Sequence, residues 1–235
     1  MSGDAPTIRF MTWNIHGTLG FNPGFDAAGV VALIRRWKPD VIALQEVDSR
    51  RPPDAFAFLQ DALGKHGIAA HSITTADGHY GQMLISSYPI TSSEIHDISA
   101  PEREPRRAIR AELETPAGPV RVVATHLGLS MGERRRQAQL LLALAGTPDM
   151  TTVVLGDFND WLLAGSVRSV LAKVLPGRSR IRTFPAFLPL LRLDRIYCRP
   201  RSAVRQMYTD RQARRLSDHL PVIADLAVVK SSDGA

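Results

Sequence analysis

Residues 153–160 read VVLGDFND, a short apolar run followed directly by polar side chains. The same arrangement, an apolar run with polar side chains at its end, is the pattern used to interpret the rest of the chain. The apolar half of this stretch predicts a strand covered on both faces, and Gly156 lets the backbone approach a ligand closely. Asp157 and Asn159 alternate, so on an extended backbone their side chains point the same way. A carboxylate and an amide so placed can position and polarise a water molecule. An Asx-turn that closes the strand is the alternative interpretation.

Polar side chains also stand at the ends of the first two predicted strands. Glu46 follows the apolar run 41–44, where a carboxylate is costly unless something pairs with it. A divalent cation is one such partner, because Mg²⁺ prefers oxygen ligands. A helix cap or a salt bridge is the alternative. Asn14, at the end of a strand predicted at 8–15, can supply a carbonyl oxygen to the same ion.

Two histidines offer imidazoles for proton transfer. The motif SDHLP at 217–221 places Asp218 beside His219, and adjacent residues on a strand point to opposite sides. We therefore expect Asp218 to face a cation and His219 to face the substrate, with Asp194 as the acceptor that orients the imidazole. His126 follows the apolar run 120–124 and is a second candidate, for which a purely structural role is the alternative.

The order of predicted elements indicates an α/β fold of two packed sheets flanked by helices. We expect one domain over residues 8–229, between short disordered tails at 1–7 and 230–235. A polar loop is expected at 75–81. Apolar periodicity predicts helices at 26–37, 55–63, 133–145 and 167–175, and strands at 8–15, 41–44, 68–74, 82–87, 90–98, 108–113, 120–125, 152–155, 192–197 and 222–228.

Composition narrows the class of protein. The net charge is +6 and all but four of the 29 basic residues are arginine, which favours a phosphate-rich partner; a coding bias toward arginine is the alternative. A single cysteine, Cys198, excludes an intrachain disulfide. With no recognisable secretory signal and no apolar run long enough to span a bilayer, we expect a cytoplasmic monomer, with peripheral contact to an anionic membrane left open.

Together these motifs resemble the endonuclease/exonuclease/phosphatase superfamily, in its deoxyribonuclease-like and neutral sphingomyelinase-like branch, over residues 8–228. The resemblance implies a four-layer αββα sandwich of two mostly antiparallel mixed sheets flanked by helices, with the site at one edge. It also implies a role for each motif residue. These roles are metal binding for Asn14, Glu46 and Asp218, orientation of water and phosphate for Asp157 and Asn159, and catalysis for His219, paired with Asp194, and for His126, which contacts the scissile phosphate.

Departures from the family pattern bear on the subfamily. The sequence THL at 125–127 and LRLD at 191–194 differ from the motifs of apurinic endonucleases and argue against abasic-site repair. Gln82 stands where many relatives have asparagine. Arg106 and Arg107 precede a strand in a region where relatives often place a phosphate-binding arginine, and Arg107 is favoured. Gln82 and Arg107 are the weaker candidates for contact with the substrate phosphate.

The expected function is a divalent-metal-dependent hydrolase that cleaves a phosphate ester by in-line attack of water, with Mg²⁺ as cofactor and Mn²⁺ as the alternative. A phosphodiesterase acting on nucleic acid or on a phospholipid head group is favoured. The alternatives are a phosphomonoesterase acting on a small soluble ester and a catalytically inert phosphate-binding module of the same fold.

Overall fold

The structure, a computed structural model, describes residues 6–17, 24–50, 52–161 and 166–228. Short 3-10 helices occupy Arg201–Ala203 and Arg211–Arg215. The main elements in chain order are β1 (Thr7–Asn14), α1 (Ala27–Trp37), β2 (Val41–Asp48), α2 (Ala55–Leu63), β3 (His66–Thr75), β4 (Gly78–Ser86), β5 (Ile90–Asp97), β6 (Arg107–Thr115), β7 (Gly118–His126), α3 (Met131–Ala145), β8 (Thr151–Asp157), α4 (Ser166–Leu171), β9 (Gly177–Arg178), β10 (Asp194–Arg199), β11 (Val204–Tyr208) and β12 (Val222–Ala227).

The described strands form two six-stranded sheets, in the orders β11-β12-β1-β2-β4-β3 and β5-β6-β7-β8-β10-β9. Each sheet has one parallel pair at its centre, β1 with β2 and β7 with β8, and its other pairs are antiparallel. Helix α1 connects the first parallel pair and α3 the second. Since parallel strands end at the same edge of a sheet, the residues that follow β1 and β2, or β7 and β8, are brought side by side.

Three apolar clusters show how the layers pack. One contains side chains of both sheets, such as Phe10 and Val153, and lies between the sheets. A second joins the first sheet to α1 and α2, with Trp13 and Ile34 among its members. A third joins the second sheet to α3 and α4. Alternate residues of each central strand therefore face opposite layers, which confirms the predicted sandwich of two mixed sheets with helices outside.

Several boundaries differ from the sequence prediction. The loop predicted at 75–81 is wrong, because β4 begins at Gly78 and only a two-residue turn separates it from β3. Strand β2 continues four residues beyond its apolar run, through a register shift between Gln45 and Val47 that leaves Glu46 in a left-handed conformation (φ 57°). The short strands β9 and β11 were not predicted, since neither has an apolar run.

The chain ends were predicted to be tails, and most of those residues lie outside the described part. Thr7 does not belong to a tail, because it is the first residue of β1 and is paired with Ala227. Helix α4 ends at Leu171, four residues earlier than expected. Within the described residues, no helix combines the length and the apolar character needed to cross a membrane.

Candidate active site

One edge of the sandwich gathers polar residues that lie at or near the ends of strands. We call them the carboxylate–imidazole cluster: Asn14, Glu46, His126, Asp157, Asp194, Asp218 and His219. The pairing of the strands explains the gathering, because Asn14 lies opposite Gln45, and Asp157 lies opposite both His126 and Asp194. A hydrogen bond from Asn14 Nδ2 to Asp157 Oδ2 (3.1 Å) then joins the two sheets.

The predicted contact between Asp194 and His219 is present. His219 Nδ1 lies 2.8 Å from Asp194 Oδ2, and both residues are buried. The backbone of His219 is held as well, because its N–H donates to Ser217 Oγ and its carbonyl accepts from Trp13 Nε1. Since Nδ1 is bonded to Asp194, Nε2 is the ring nitrogen left to act on a substrate. The ring is therefore oriented before any ligand arrives.

Charges around the two imidazoles give them different protonation states. Burial alone lowers the pKa of His219, but Asp194 and Asp157 outweigh it and raise the pKa to about 10. Burial also lowers the pKa of His126 well below its usual value, and the positive charges of Arg106 and His219 lower it further. At neutral pH the cluster thus holds one imidazolium that can donate a proton and one neutral imidazole.

Asp157 has an unusual environment for a carboxylate. Burial and the nearby charge of Asp194 raise its pKa to about 6. Its Oδ2 lies 3.7 Å from His126 Nε2 and 3.8 Å from His219 Nδ1. A carboxyl group whose pKa lies close to neutral pH, between two imidazoles, suits the acceptance of a proton.

The geometry of Asn159 corrects the argument from alternation. Strand β8 ends at Asp157, and Asn159 adopts a left-handed conformation (φ 49°) rather than an extended one. Its backbone N–H donates to Asp157 Oδ1 (2.9 Å), which is the Asx-type turn considered as the alternative, and its side-chain amide donates to the carbonyl of Leu127. Gly156 is explained by packing, because a Cβ atom there would lie 1.9 Å from the carbonyl oxygen of Thr125.

A second corner of the cluster combines the three residues predicted to bind metal. Glu46 Oε1 accepts from Asn14 Nδ2 (2.8 Å). Glu46 Oε2 and Asp218 Oδ1 both approach His16 Nδ1, at 3.6 Å and 3.3 Å. Two carboxylates that converge within reach of an amide form an oxygen donor set of the kind that Mg²⁺ prefers. Asp218 is the most open of the group, with 42% of its side chain exposed.

A different trio could also hold an ion by distance alone, since Asp157, Asp194 and His219 present ligand atoms within 4.8 Å of one another. The Nδ1 atom of His219 already donates to Asp194, however, and a metal there would have to replace that bond. The corner at Glu46 would not require that hydrogen bond to be broken.

The described hydrogen bonds of the weaker candidates are to residues outside the cluster. Arg107 pairs with Asp97 (2.6 Å) and donates to Ser99, and Gln82 donates to the carbonyl of Arg107 (2.6 Å). The neighbouring Arg106 is the arginine that reaches the site, because its Nη1 lies 3.2 Å from His126 Nδ1 and the residue is buried.

Sequence reasoning favoured Arg107 over Arg106, and it assigned no role to His16. Arg106 is adjacent to the residue that was chosen, and alternation along β6 could not decide between them because the strand begins at Arg107. His16 stands two residues after Asn14 in the same motif, and its backbone N–H donates to Asn14 Oδ1 (3.1 Å). The proximity of His16 to that motif was a usable signal.

Two mixed six-stranded sheets with this cluster at one edge define a class of proteins that hydrolyse phosphoric esters with a divalent metal ion. The sequence model of the Endonuclease/Exonuclease/phosphatase family matches residues 11–219, and the chain belongs to that family. The resemblance inferred from the motifs is thereby confirmed.

Individual proteins extend the comparison. The uncharacterized protein YbhP of Escherichia coli K12 is 31% identical over 246 residues, covering 94% of this chain and 96% of YbhP. Tyrosyl-DNA phosphodiesterase 2 of Mus musculus is 29% identical over 164 residues, covering 66% of this chain and 42% of that protein. An endonuclease/exonuclease/phosphatase structure from Bacteroides vulgatus superposes with a TM-score of 0.78 at 20% identity, covering 95% of this chain and 100% of that one.

Proposed function

We propose that this protein is a divalent-metal-dependent hydrolase that cleaves a phosphate diester by in-line attack of water. The observation that carries the proposal is the buried pair of Asp194 and His219, held at 2.8 Å beside Asp157. This reaction needs an oriented imidazolium, a carboxylate whose pKa is raised, and a set of oxygen ligands for a metal ion. His219, Asp157 and the residues around Glu46 would supply them.

Glu46 and Asp218 would hold Mg²⁺, or Mn²⁺ as the alternative, together with the carbonyl oxygen of Asn14. When bound, the ion would polarise the phosphoryl group and offset the negative charge that develops on it. Asn14 also fixes this corner relative to the catalytic trio, because its amide donates to both Glu46 and Asp157.

The side chains divide the proton work between them. Asp157 takes a proton from the attacking water as the water oxygen bonds to phosphorus, and Asn159 fixes the loop that positions Asp157. The P–O bond opposite the attacking water breaks, and the leaving oxygen takes a proton from solvent. His219 donates a hydrogen bond from Nε2 to the phosphoryl oxygens as negative charge grows, while Asp194 keeps the imidazolium in place. His126 is neutral and contacts the scissile phosphate, with Arg106 behind it.

Nucleic acid is the substrate we propose first. The similarity to a tyrosyl-DNA phosphodiesterase and the net charge of +6 support it, because contacts with phosphates dominate the affinity of proteins for nucleic acids.

A phospholipid head group is the second candidate, and a specific surface favours it. The loop 184–191 exposes 77% of Phe187 and 57% each of Leu188 and Leu190. The loop adjoins the cluster, since the Phe184 ring lies 4.9 Å from the His219 ring and Ala186 N–H donates to the carbonyl of Asp218. Exposed apolar side chains beside a catalytic group suit contact with a membrane.

The test of the enzyme proposal is hydrolysis of bis-p-nitrophenyl phosphate with Mg²⁺ or Mn²⁺. Glu46→Gln and His219→Ala should each lose most of the wild-type rate. Equal rates in all three proteins would instead identify an inert binding module. Faster turnover of the monoester p-nitrophenyl phosphate than of the diester would favour a phosphomonoesterase.

The substrate is tested by assaying plasmid nicking, mixed phospholipid vesicles and phosphorylated inositols in parallel. The triple variant with Phe187, Leu188 and Leu190 all replaced by serine serves as a diagnostic. If the substrate is a lipid, this variant should lose activity on vesicles and keep its activity on bis-p-nitrophenyl phosphate. A product obtained only from lipid would exclude the nuclease.

A further inference from the structure

Five arginines converge on a pocket outside the carboxylate–imidazole cluster. We call it the arginine pocket; its volume is about 250 Å³, and the described residues that line it are Arg168, Arg178, Arg180, Arg192 and Arg195. Helix α4 contributes Arg168, β9 contributes Arg178, and β10 contributes Arg195. Three separate elements therefore supply positive charge to one cavity.

The pocket belongs to the opposite face of the second sheet from the catalytic residues. Arg195 directly follows Asp194 on β10, and adjacent strand residues point to opposite faces. Tyr197 shares the face of Arg195 and packs in the apolar cluster that joins the sheet to α3 and α4. The arginine pocket is thus on the helix-covered side, separated from the cluster by the sheet.

No described carboxylate forms an ion pair with any of these five arginines. The chain pairs arginines elsewhere, as with Arg9 and Asp225 (2.7 Å) or Arg50 and Asp48 (2.6 Å). An arginine-rich composition alone would place the unpaired guanidinium groups in open solvent. Here they line a cavity instead.

Arg195 makes the cavity more than a solvated surface. It is 7% exposed, and within the described residues its buried Nε has no hydrogen-bond partner. The buried Nε of Arg192 lacks one as well. A buried Nε–H group without a hydrogen-bond partner is costly, and an anion that accepts from it would offset that cost. Burial and the surrounding arginines also lower the pKa of Arg192, as expected for positive charges held close together.

We propose that the arginine pocket is a second anion-binding site, which takes a ligand carrying two or more phosphoryl groups. Planar guanidinium groups match phosphate oxygens bidentately. The volume corresponds to roughly eight water molecules at about 30 Å³ each, which leaves room for two phosphoryl groups. A larger cleft of about 540 Å³ shares Arg178 and Arg180 with the pocket and adds Arg201, so that a longer ligand can continue along it.

Binding of pyrophosphate, measured by isothermal titration calorimetry in the presence of EDTA, tests the proposal independently of catalysis. The double variant Arg180→Gln with Arg192→Gln should bind pyrophosphate at least tenfold more weakly than the wild type. The matched control is Arg135→Gln with Arg136→Gln on α3, where both residues are exposed. It removes the same charge and should bind as the wild type does.

The proposal would be overturned if the pocket variant bound pyrophosphate with wild-type affinity. It would also be overturned if both double variants lost the same amount of affinity for pyrophosphate. Binding of pyrophosphate at the carboxylate–imidazole cluster would be the same in both double variants as in the wild type. It can therefore be distinguished from binding in the arginine pocket.

Competition then identifies the source of the phosphoryl groups. Displacement of pyrophosphate by a single-stranded oligonucleotide would assign them to a nucleic-acid backbone. Displacement by vesicles that contain a phosphorylated inositol lipid would assign them to a membrane. If neither competes, the ligand is a free phosphorylated molecule.

Discussion

Replacing Asp194 with asparagine is expected to slow hydrolysis while leaving metal binding almost unchanged. Its Oδ2 accepts from His219 Nδ1 at 2.8 Å, and both groups are buried. A hydrogen bond to a charged group contributes about 1.5–3 kcal/mol. If that stabilisation supports the imidazolium mainly in the transition state, kcat should fall roughly 10- to 150-fold, at about 1.36 kcal/mol per factor of ten.

The assay is steady-state hydrolysis of bis-p-nitrophenyl phosphate, with metal affinity measured separately by calorimetry. Asp225→Asn is the matched control, because it removes a carboxylate that pairs with Arg9 on β1 and should leave kcat unchanged. Combining Asp194→Asn with His219→Ala should cost no more than His219→Ala alone, since the two residues act as a unit. Weaker metal binding with an unchanged kcat would refute the reasoning and make Asp194 a metal ligand.

Three other expectations concern separate parts of the molecule. Glu46→Gln should weaken Mg²⁺ binding at least about tenfold by calorimetry, and an unchanged affinity would place the metal elsewhere. Arg106→Gln should raise the pKa of His126 in an NMR titration, because one of the positive charges that lower it is removed. Asp210→Asn should reduce the free energy of unfolding by about 1.5–3 kcal/mol at pH 7. Burial opposes the charge of Asp210, but hydrogen bonds led by that from Trp37 outweigh it and lower its pKa, so this difference should shrink as the pH falls below about 4. A difference that persisted at pH 2 would show that packing, not charge, is responsible.

Most of the cluster could be predicted because its residues lie at or near the ends of buried strands. A polar side chain just before or after an apolar run lies at the edge of a sheet, and six strand ends of this kind indicated one shared edge. The pairing of Asp194 with His219 was accessible for a further reason. A buried imidazole needs an acceptor for one nitrogen, and few carboxylates were available at strand ends.

Local conformation beyond the strand ends could not be predicted in the same way. The left-handed backbone at Glu46 and Asn159 breaks the alternation on which arguments from a strand pattern rely. Which of two adjacent arginines reaches His126 depends on where β6 begins. These local conformations depend on hydrogen bonds between segments distant in the sequence, such as that from Asn159 to Leu127. Hydrogen bonds of this kind do not produce a periodic pattern in the sequence.

The sequence by itself determined the chemical character of this protein. The stretch at 153–160 and its counterparts at other strand ends carry the carboxylates, amides and imidazoles on which the proposed hydrolysis of phosphate esters depends. The order of strands and helices requires two covered sheets. Only the tertiary structure decided which groups meet, because residues 25 positions apart, such as Asp194 and His219, touch only once the sheets are paired. It also gathered five arginines from α4, β9, β10 and the loops between them into one pocket, since sheet pairing and helix packing, not sequence spacing, bring those charges together.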